Sequence, residues 1–211
     1  MLKTKNTKEI KLEKSPRKRV SKELIYEMRY GKYIYYKNYD QVLSGEKTLE
    51  EIVGSSFLQA QLTAQLIYFL MTRLDLNKYV VTTNELGFKL AQSSWRSLDI
   101  AIFEQVKVKV KDYIDYDQYI SIPPKLVIEI DTKADLRKFD NPQDYFHQKT
   151  KDLLDNNVEK VIWIFTKERF VWLAERGKDW LIKTWRSDIE VIDGIIINLE
   201  EFMKDLRGSN E

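Results

Sequence analysis

The sequence predicts a mixed α/β fold in which a central sheet is flanked by helices. Several short segments are rich in Val, Ile, Leu and aromatic residues, which is typical of strands. One long apolar helix precedes a group of these segments, and a second helix lies between two of them. Since strands come both before and after this central helix, we expect one mixed sheet with helices against it.

The composition agrees with a globular protein. The chain has 211 residues, of which 43% are hydrophobic, and this is enough for one well-packed domain. It contains no cysteine, which excludes a disulfide framework and a thiolate zinc site. Neither an apolar run of about eighteen residues nor a secretory signal is recognisable. We therefore expect a cytoplasmic protein without a membrane partner.

The charge is unevenly distributed along the chain. Residues 1–20 carry a balance of +6, whereas the remainder carries −4. We expect a basic, disordered tail at 1–20 and one domain at 21–211. The tail suits a polyanionic partner such as DNA, but it is also typical of a solvated terminus, and we favour the solvated terminus. The basic residues nearest the domain, which are candidate nucleic-acid contacts, are Lys14, Arg17, Lys18 and Arg19.

Two segments have the pattern of buried or half-buried helices. Residues 55–74 are apolar almost all round the helical wheel, which is typical of a buried helix. Residues 142–156 follow a cap at Asp140 or Asn141 and begin with Pro142, which is favoured at the first helical position.

Eight further segments are predicted to be strands, at 78–83, 86–91, 98–104, 125–131, 160–165, 169–175, 179–185 and 195–199. The first two flank Asn84 and Glu85, which indicates a bend or bulge. Glu85 is then either an auxiliary acidic ligand or a polar residue at the bend, and we favour the bend.

Acidic residues interrupt two of the most apolar strands. Asp99 and Glu129 lie in segments that are apolar on both faces, as in the centre of a sheet. A buried carboxylate is costly unless it is paired or bound to metal. Asp131 follows Glu129 at two residues, so we expect it on the same face of the strand. Such converging carboxylates suit a hard cation, Mg²⁺ or Mn²⁺, with Asp99, Glu129 and Asp131 as ligands.

A lysine interrupts the apolar stripe of the second helix. Lys149 is four residues after Tyr145 and four before Leu153, so it projects towards the sheet, where it can meet Glu129. A snorkelling lysine or a structural ion pair explains this position equally well. His147, the only histidine, projects to the other side and is expected on the surface.

These residues lie in segments that can be compared with known families: "WRSLDIAIFE", "KLVIEIDTKADLRKFDNPQDYFHQKTKDLLDNNVEKVIWIF", "GEKTLEEIVGSSFLQAQL" and "NELGFKL". Together they resemble the Uma-two family of restriction-endonuclease-like proteins, within the PD-(D/E)xK nuclease superfamily. The likeness covers roughly residues 25–200. It implies a restriction-endonuclease-like fold with an αβββαβ core and additions at both ends.

The resemblance implies Asp99, Glu129 and Lys149 as catalytic residues, with the lysine displaced from the glutamate strand onto the helix. The usual superfamily pattern would place lysine at 131, where this chain has Asp131. Gln59 stands where many relatives have a histidine, which makes it an auxiliary candidate. Two smaller departures are Leu98 for the proline before the aspartate, and Thr132–Lys133 for a Ser-Pro pair.

The predicted function is an Mg²⁺- or Mn²⁺-dependent DNA endonuclease that hydrolyses phosphodiester bonds. The alternative is a catalytically decayed nuclease scaffold that binds nucleic acid or protein, and the departures at Gln59 and Asp131 motivate it. A third hypothesis makes the acidic cluster structural within an obligate oligomer. We expect a homodimer, because two-fold symmetry suits cleavage of both strands, with 22–54 and 105–119 as candidate interface segments.

Overall fold

A computed structural model describes residues 20–108 and 119–207 of the chain. The candidate DNA contacts in the basic tail, Lys14, Arg17, Lys18 and Arg19, lie outside the described residues, as does most of the insertion at 105–119.

The helices vary from one to four turns, and in chain order they are α1 (Tyr39–Ser44), α2 (Glu50–Val53), α3 (Phe57–Met71), α4 (Pro142–Asp155) and α5 (Leu199–Arg207). The strands are β1 (Ile25–Arg29), β2 (Lys32–Tyr35), β3 (Tyr79–Ala91), β4 (Ser94–Glu104), β5 (Leu126–Ile130), β6 (Lys160–Phe165), β7 (Phe170–Glu175), β8 (Leu181–Thr184), β9 (Ile189–Ile192) and β10 (Ile195–Ile197).

Eight strands form one mixed sheet. Along the sheet the order is β2-β1-β4-β5-β6-β7-β8, and β3 pairs with the other edge of β4. β5 and β6 are parallel, as a connection through α4 allows, whereas the other neighbours are antiparallel. The succession α3-β3-β4-β5-α4-β6 is the αβββαβ core that was expected. β9 and β10 form a separate hairpin.

The apolar core lies on both faces of this sheet. Ile128 of β5 packs in a cluster with Leu66 of α3. Its neighbour Val127 packs in a second cluster with Leu153 of α4. Because successive side chains of a strand point to opposite faces, α3 and α4 cover opposite faces of the sheet. In this three-layer arrangement β4 and β5 are buried from both sides, which explains why residues 98–103 of β4 and all of β5 are apolar except for one carboxylate in each.

The bulge predicted near Asn84 is present, but the two flanking segments form a single strand. Both halves of β3 pair with β4, and the register shifts between Thr83 and Leu86. Asn84 and Glu85 both adopt positive φ, at 73° and 55°. The predicted helix at 55–74 is also present as α3, with Ser56 as its cap.

The tyrosine-rich segment at 22–54 contributes two strands to the main sheet. β1 and β2 form a hairpin around Gly31, and β1 joins the main sheet through a pair between Met28 and Trp95 of β4. No helix in the described ranges combines the length and the apolar character needed to cross a membrane.

Candidate active site

Asp99 and Glu129 lie side by side on neighbouring strands. Ile100 of β4 pairs with Ile128 of β5, and continuing this antiparallel register by one residue brings Asp99 opposite Glu129. Oδ2 of Asp99 accepts a hydrogen bond of 2.8 Å from the amide of Ile130. Only 9% of Asp99 and 1% of Glu129 are exposed. The sheet therefore holds two carboxylates together in a largely dry environment.

Lys149 extends from α4 to this pair and is completely buried. Its Nζ donates to Oε2 of Glu129 at 2.9 Å and to the carbonyl oxygen of Ser97 at 2.6 Å. Oε1 of Glu27 lies 2.9 Å from the same nitrogen. Because an ammonium group has three donors, these three oxygens use its full hydrogen-bonding capacity.

The sequence of α4 explains how this lysine is positioned. Asn141 and Asp144 form a capping box around Pro142, which sets the start of the helix. Two turns later Lys149 lies on the buried face of α4. The next residue, Thr150, accepts a hydrogen bond of 2.8 Å from Nε1 of the buried Trp163, which attaches the helix to β6.

A buried ion network surrounds Lys149, and sequence reasoning missed it. Arg96 on β4 donates to Glu27 on β1 at 2.7 Å and to Asp152 on α4 at 2.5 Å. Glu27 also accepts from the hydroxyl of Tyr145 at 3.1 Å, and Arg29 pairs with Asp152 at 2.8 Å. These contacts join β1, β4 and α4 beneath the site.

Two signals in the sequence could have revealed this network. Glu27 interrupts a strand between apolar and aromatic residues, as Asp99 does, but the segment around it was not recognised as part of the sheet. Arg96 precedes the predicted start of its strand at 98, whereas β4 begins at Ser94. With the strand extended by four residues, Arg96 would have been a buried cation in need of an acidic partner.

The positive charge of Lys149 compensates only in part for the burial of the acidic pair. Burial raises the pKa of Asp99, and Lys149 offsets this only in part. Burial also raises the pKa of Glu129 well above its usual value, and the negative charge of Asp99 adds to the effect. Since ionised forms are penalised at both positions, an additional cation between them would be stabilising.

Glu27 and Lys149 behave differently because each has opposite charges around it. Burial would raise the pKa of Glu27, but Lys149 and Arg96 outweigh it and hold that pKa below its ordinary value. Burial would likewise lower the pKa of Lys149, but Glu129 and Glu27 raise it well above its ordinary value. Both groups are therefore charged at neutral pH.

The residues present fit a divalent cation. Oε1 of Glu129 is buried and has no hydrogen-bond partner among the described residues, although its other oxygen binds Lys149. Such an orphaned oxygen beside a second carboxylate, Asp99, is a suitable ligand pair for Mg²⁺, which often takes one or two carboxylates and several waters. Among the described residues no group of three or more acidic, histidine or cysteine side chains is arranged to hold a metal ion. A cation here would therefore have two carboxylate ligands.

Asp99 borders a cleft of about 860 Å³, whose walls come from α3, β3 and the loop after β5. Gln59 of α3 lines this cleft and donates from Nε2 to the carbonyl oxygen of Ile130 at 2.9 Å. Glu85 and Lys133 line it as well, and they form an ion pair with each other. The structure thus brings Asp99, Gln59 and Glu85 to one cleft, with Glu129 and Lys149 buried beside it.

The structure corrects the expected position of Asp131. β5 ends at Ile130, and Asp131 has a φ of 53°, so the alternation that would align it with Glu129 stops before it. Its carboxylate accepts hydrogen bonds from the amide of Thr166 at 2.9 Å and from the hydroxyl of Thr166 at 2.6 Å. Asp131 therefore secures the loop after β6, and its side chain does not join Asp99 and Glu129. His147 lies on the exposed side of α4 and contacts Trp180.

Comparisons with known proteins show a likeness among solved structures but none among family models or curated proteins. No family model matches the sequence, and no curated protein matches it. Among solved structures the chain is similar to a protein from Anabaena variabilis ATCC 29413, described as "a putative nuclease belonging to DUF820". The two are 12% identical, with a TM-score of 0.60, over 84% of this chain and 89% of that one.

This likeness concerns the fold, since the sequences have little in common. Membership of the Uma-two family stays a prediction. The large mixed sheet, the helices on both of its faces and the αβββαβ order agree with the architecture expected from the sequence. The chain has a restriction-endonuclease-like α/β fold.

Proposed function

We propose that this protein is a Mg²⁺- or Mn²⁺-dependent nuclease that hydrolyses phosphodiester bonds in DNA. The site of this reaction is formed by Asp99, Glu129 and Lys149. The observation that carries the proposal is the pair of buried carboxylates, one with an orphaned oxygen, beside a lysine and at the edge of a cleft. The fold shared with a protein described as a nuclease supports the same class of reaction.

In this proposal Asp99 and Glu129 hold the cation, and each has a supporting contact. The amide of Ile130 fixes one oxygen of Asp99, and Lys149 fixes one oxygen of Glu129. The free oxygens are then available as ligands. A bound divalent ion polarises the phosphoryl oxygen and lowers the pKa of a coordinated water.

Lys149 acts as a positioning residue in this arrangement. All three of its donors are used by protein oxygens, and its side chain is enclosed, so it has no direct access to substrate. Its charge favours the ionised form of Glu129, which is the form that binds metal. The geometry therefore favours this role over direct contact with the reacting groups, which the resemblance implies for Lys149.

Nicking of supercoiled plasmid DNA tests the proposal. We expect Mg²⁺- or Mn²⁺-dependent nicking by the wild-type protein and a loss of at least about 100-fold in Asp99→Asn, because a metal ligand is removed. Lys151→Ala is the matched control, since Lys151 is an exposed lysine on α4 that pairs with the exposed Asp155.

Single-stranded and branched DNA belong in the same assay, since the shape of the substrate is not given by the site. If no DNA is cleaved with either metal, or if Asp99→Asn cleaves as well as the wild type, the proposed activity is wrong. Circular dichroism of each variant separates loss of function from loss of fold.

The second candidate is a nuclease scaffold that binds nucleic acid or protein without cleaving. The enclosure of Lys149 favours it, because a lysine saturated by Glu27, Glu129 and Ser97 is also what a structural ion network requires. Calorimetric titration with Mn²⁺ distinguishes the two. Binding that is lost in Asp99→Asn supports the nuclease, and a silent titration at millimolar metal with DNA still bound supports the scaffold.

A further inference from the structure

The cleft at Asp99 contains a second lysine, and it is more accessible than Lys149. The side chain of Lys133 is 13% exposed and lines the cleft, whereas Lys149 is fully buried and all of its donors are used. Lys133 lies on the loop that follows β5, four residues after Glu129. Asp99 lines the same cleft.

An unusual piece of backbone places the partner of Lys133. The bulge of β3 occurs where Thr83 pairs with Ile100 and Leu86 pairs with Leu98, so Asn84 and Glu85 together lie across from Asp99, one residue more than β4 has there. Both residues of the bulge have positive φ, which non-glycine residues adopt only at a cost. Bulges often occur next to active sites, where they redirect a side chain. Here the bulge directs Glu85 into the cleft.

Glu85 and its neighbours hold the Lys133 ammonium in place. Lys133 forms an ion pair with Glu85 and donates to the carbonyl oxygen of Val53, at the end of α2, at 2.9 Å. The hydroxyl of Tyr36 donates to the other oxygen of Glu85 at 3.3 Å. The ammonium group of Lys133 therefore has two acceptors, Glu85 and the carbonyl oxygen of Val53, for its three N–H donors. Within the described part of the chain, one N–H of Lys133 is available to a ligand in the cleft.

We propose that Lys133, positioned by Glu85, is the lysine that contacts the substrate phosphate. This inference deepens the proposed function and rests on it. A lysine ammonium is an effective point-charge partner for phosphate. Its location in the wall that Asp99 shares would place a backbone phosphate of DNA beside the acidic pair, and Lys149 would act only through Glu129.

DNA binding measured without cleavage tests this role. Fluorescence anisotropy of a labelled duplex in Ca²⁺ compares the wild type with Lys133→Met and Lys133→Arg. The matched control is Lys160→Met, because Lys160 is 15% exposed and likewise pairs with one carboxylate, Glu175, and one carbonyl oxygen, that of Glu190. Lys160 begins β6 and does not line the cleft.

We expect Lys133→Met to bind DNA about 5- to 10-fold more weakly and to lower the slope of log Kd against log salt by about 1, as for one lost phosphate contact. Lys133→Arg should recover most of the binding, and Lys160→Met should bind as the wild type does. Equal binding and equal salt slope in the wild type and Lys133→Met would overturn the proposal. So would weaker binding that comes only with a lower melting temperature and an unchanged slope, since this indicates a structural link to α2.

Glu85→Gln tests the positioning role. We expect it to weaken DNA binding in the same way while its calorimetric affinity for Mn²⁺ stays within about twofold of the wild type. A lost Mn²⁺ affinity would instead make Glu85 a metal ligand and overturn this part of the proposal.

The plasmid assay keeps this proposal and the proposed function apart. If the wild-type protein binds DNA through Lys133 but never cleaves it, the proposed phosphate contact is supported and the proposed nuclease activity is wrong. If the wild-type protein cleaves DNA and Lys133→Met has the same KM and kcat, only the proposed role of Lys133 is wrong. A wild-type protein that binds no DNA even at low salt overturns the role of Lys133.

Discussion

Asp99 and Glu129 are costly residues to keep in the centre of a sheet. Each replaces an apolar side chain in a strand that is otherwise buried on both faces, and each has a raised pKa because burial disfavours its charged form. Side chains that carry such a penalty are typical of functional sites, where a bound ligand relieves it. Without that ligand, the pair should reduce the stability of the fold.

Asp99→Asn should therefore stabilise the protein when divalent metal is absent. Asparagine keeps an oxygen that can accept from Ile130 but removes the buried charge, so we expect a gain on the order of 1 kcal/mol, or about 2–4 °C in Tm for a chain of this size. Thermal unfolding in EDTA at neutral pH measures it. A lower Tm in Asp99→Asn would show that the charge of Asp99 stabilises the fold.

The same substitution has a defined pH dependence. Below the ordinary pKa of 3.8, Asp99 is protonated in both the folded and the unfolded chain and makes no difference. As the pH rises from 3.8 through the raised pKa of the folded state, the unfolded chain ionises first, and the wild type loses stability relative to the variant. Urea unfolding of both proteins from pH 4 to pH 7 should show this gap opening as the pH rises.

Arg96 should matter to stability more than any exposed cation. Arg96→Met leaves Glu27 and Asp152 buried with too little positive charge, and breaking a buried ion pair in this way costs roughly 3–5 kcal/mol. Lys151→Met removes an exposed i,i+4 pair on α4 and should cost about 0.5 kcal/mol or less. Chemical denaturation of the two variants checks the difference, and equal costs would contradict a structural role for the network.

The sequence allowed individual site residues to be predicted only where the strand or helix that contains them was recognised. Asp99 and Glu129 were identifiable because each interrupts a clear apolar run, and Lys149 because it interrupts a helical stripe. Glu27 was missed because β1 is only five residues long and lies in a segment that was not predicted to be a strand of the sheet. Asp131 was misplaced because nothing in the sequence shows that the strand ends one residue earlier, with a positive φ.

At the level of the elements, α4 connects the sheet to the site. Its buried face carries Tyr145, Lys149 and Asp152, which all belong to the ion network. The register of this face depends on where the helix begins, and the cap and the first-turn proline made that start predictable to within two residues. The geometry of Lys149 therefore follows from local sequence signals, whereas its partner on β1 is a long-range contact that local signals do not give.

Loss of the N-terminal cap of α4, the helix that carries Lys149, should lower the stability of the protein. Asn141→Ala removes the acceptor for the amide of Gln143 and half of the capping box, so we expect a loss of about 1 kcal/mol in the free energy of unfolding. Denaturant titration measures this loss. Asn141→Asp is the control, because aspartate also accepts at this position, and its stability should stay close to that of the wild type.

At the level of the whole molecule, the order of the central elements was predictable and the periphery was not. The order of strands and helices predicted the mixed sheet, and the resemblance to a known family implied its αβββαβ core. In the hairpin of β9 and β10, only β10 was predicted. β9 was missed because it is only four residues long. The place of β1 in the sheet was not predicted, because β1 is joined to β4 by a single residue pair between segments distant in sequence.

The assembly of the molecule is a further prediction at this scale. We propose a homodimer, because cleavage of both strands of a duplex is served by two sites related by two-fold symmetry. Light scattering coupled to size exclusion should give about twice the chain mass of 25.2 kDa. A mass near that of one chain, with and without DNA, would contradict it.

The central claim is that Asp99 and Glu129 hold a divalent metal ion. Anomalous diffraction from crystals soaked in millimolar Mn²⁺ tests it most directly. We predict an anomalous peak between the carboxylates, about 2.0–2.3 Å from an oxygen of Asp99 and from Oε1 of Glu129, and no such peak in Asp99→Asn. An absence of density at this position in the wild type, or a peak of the same height in the variant, would contradict the claim.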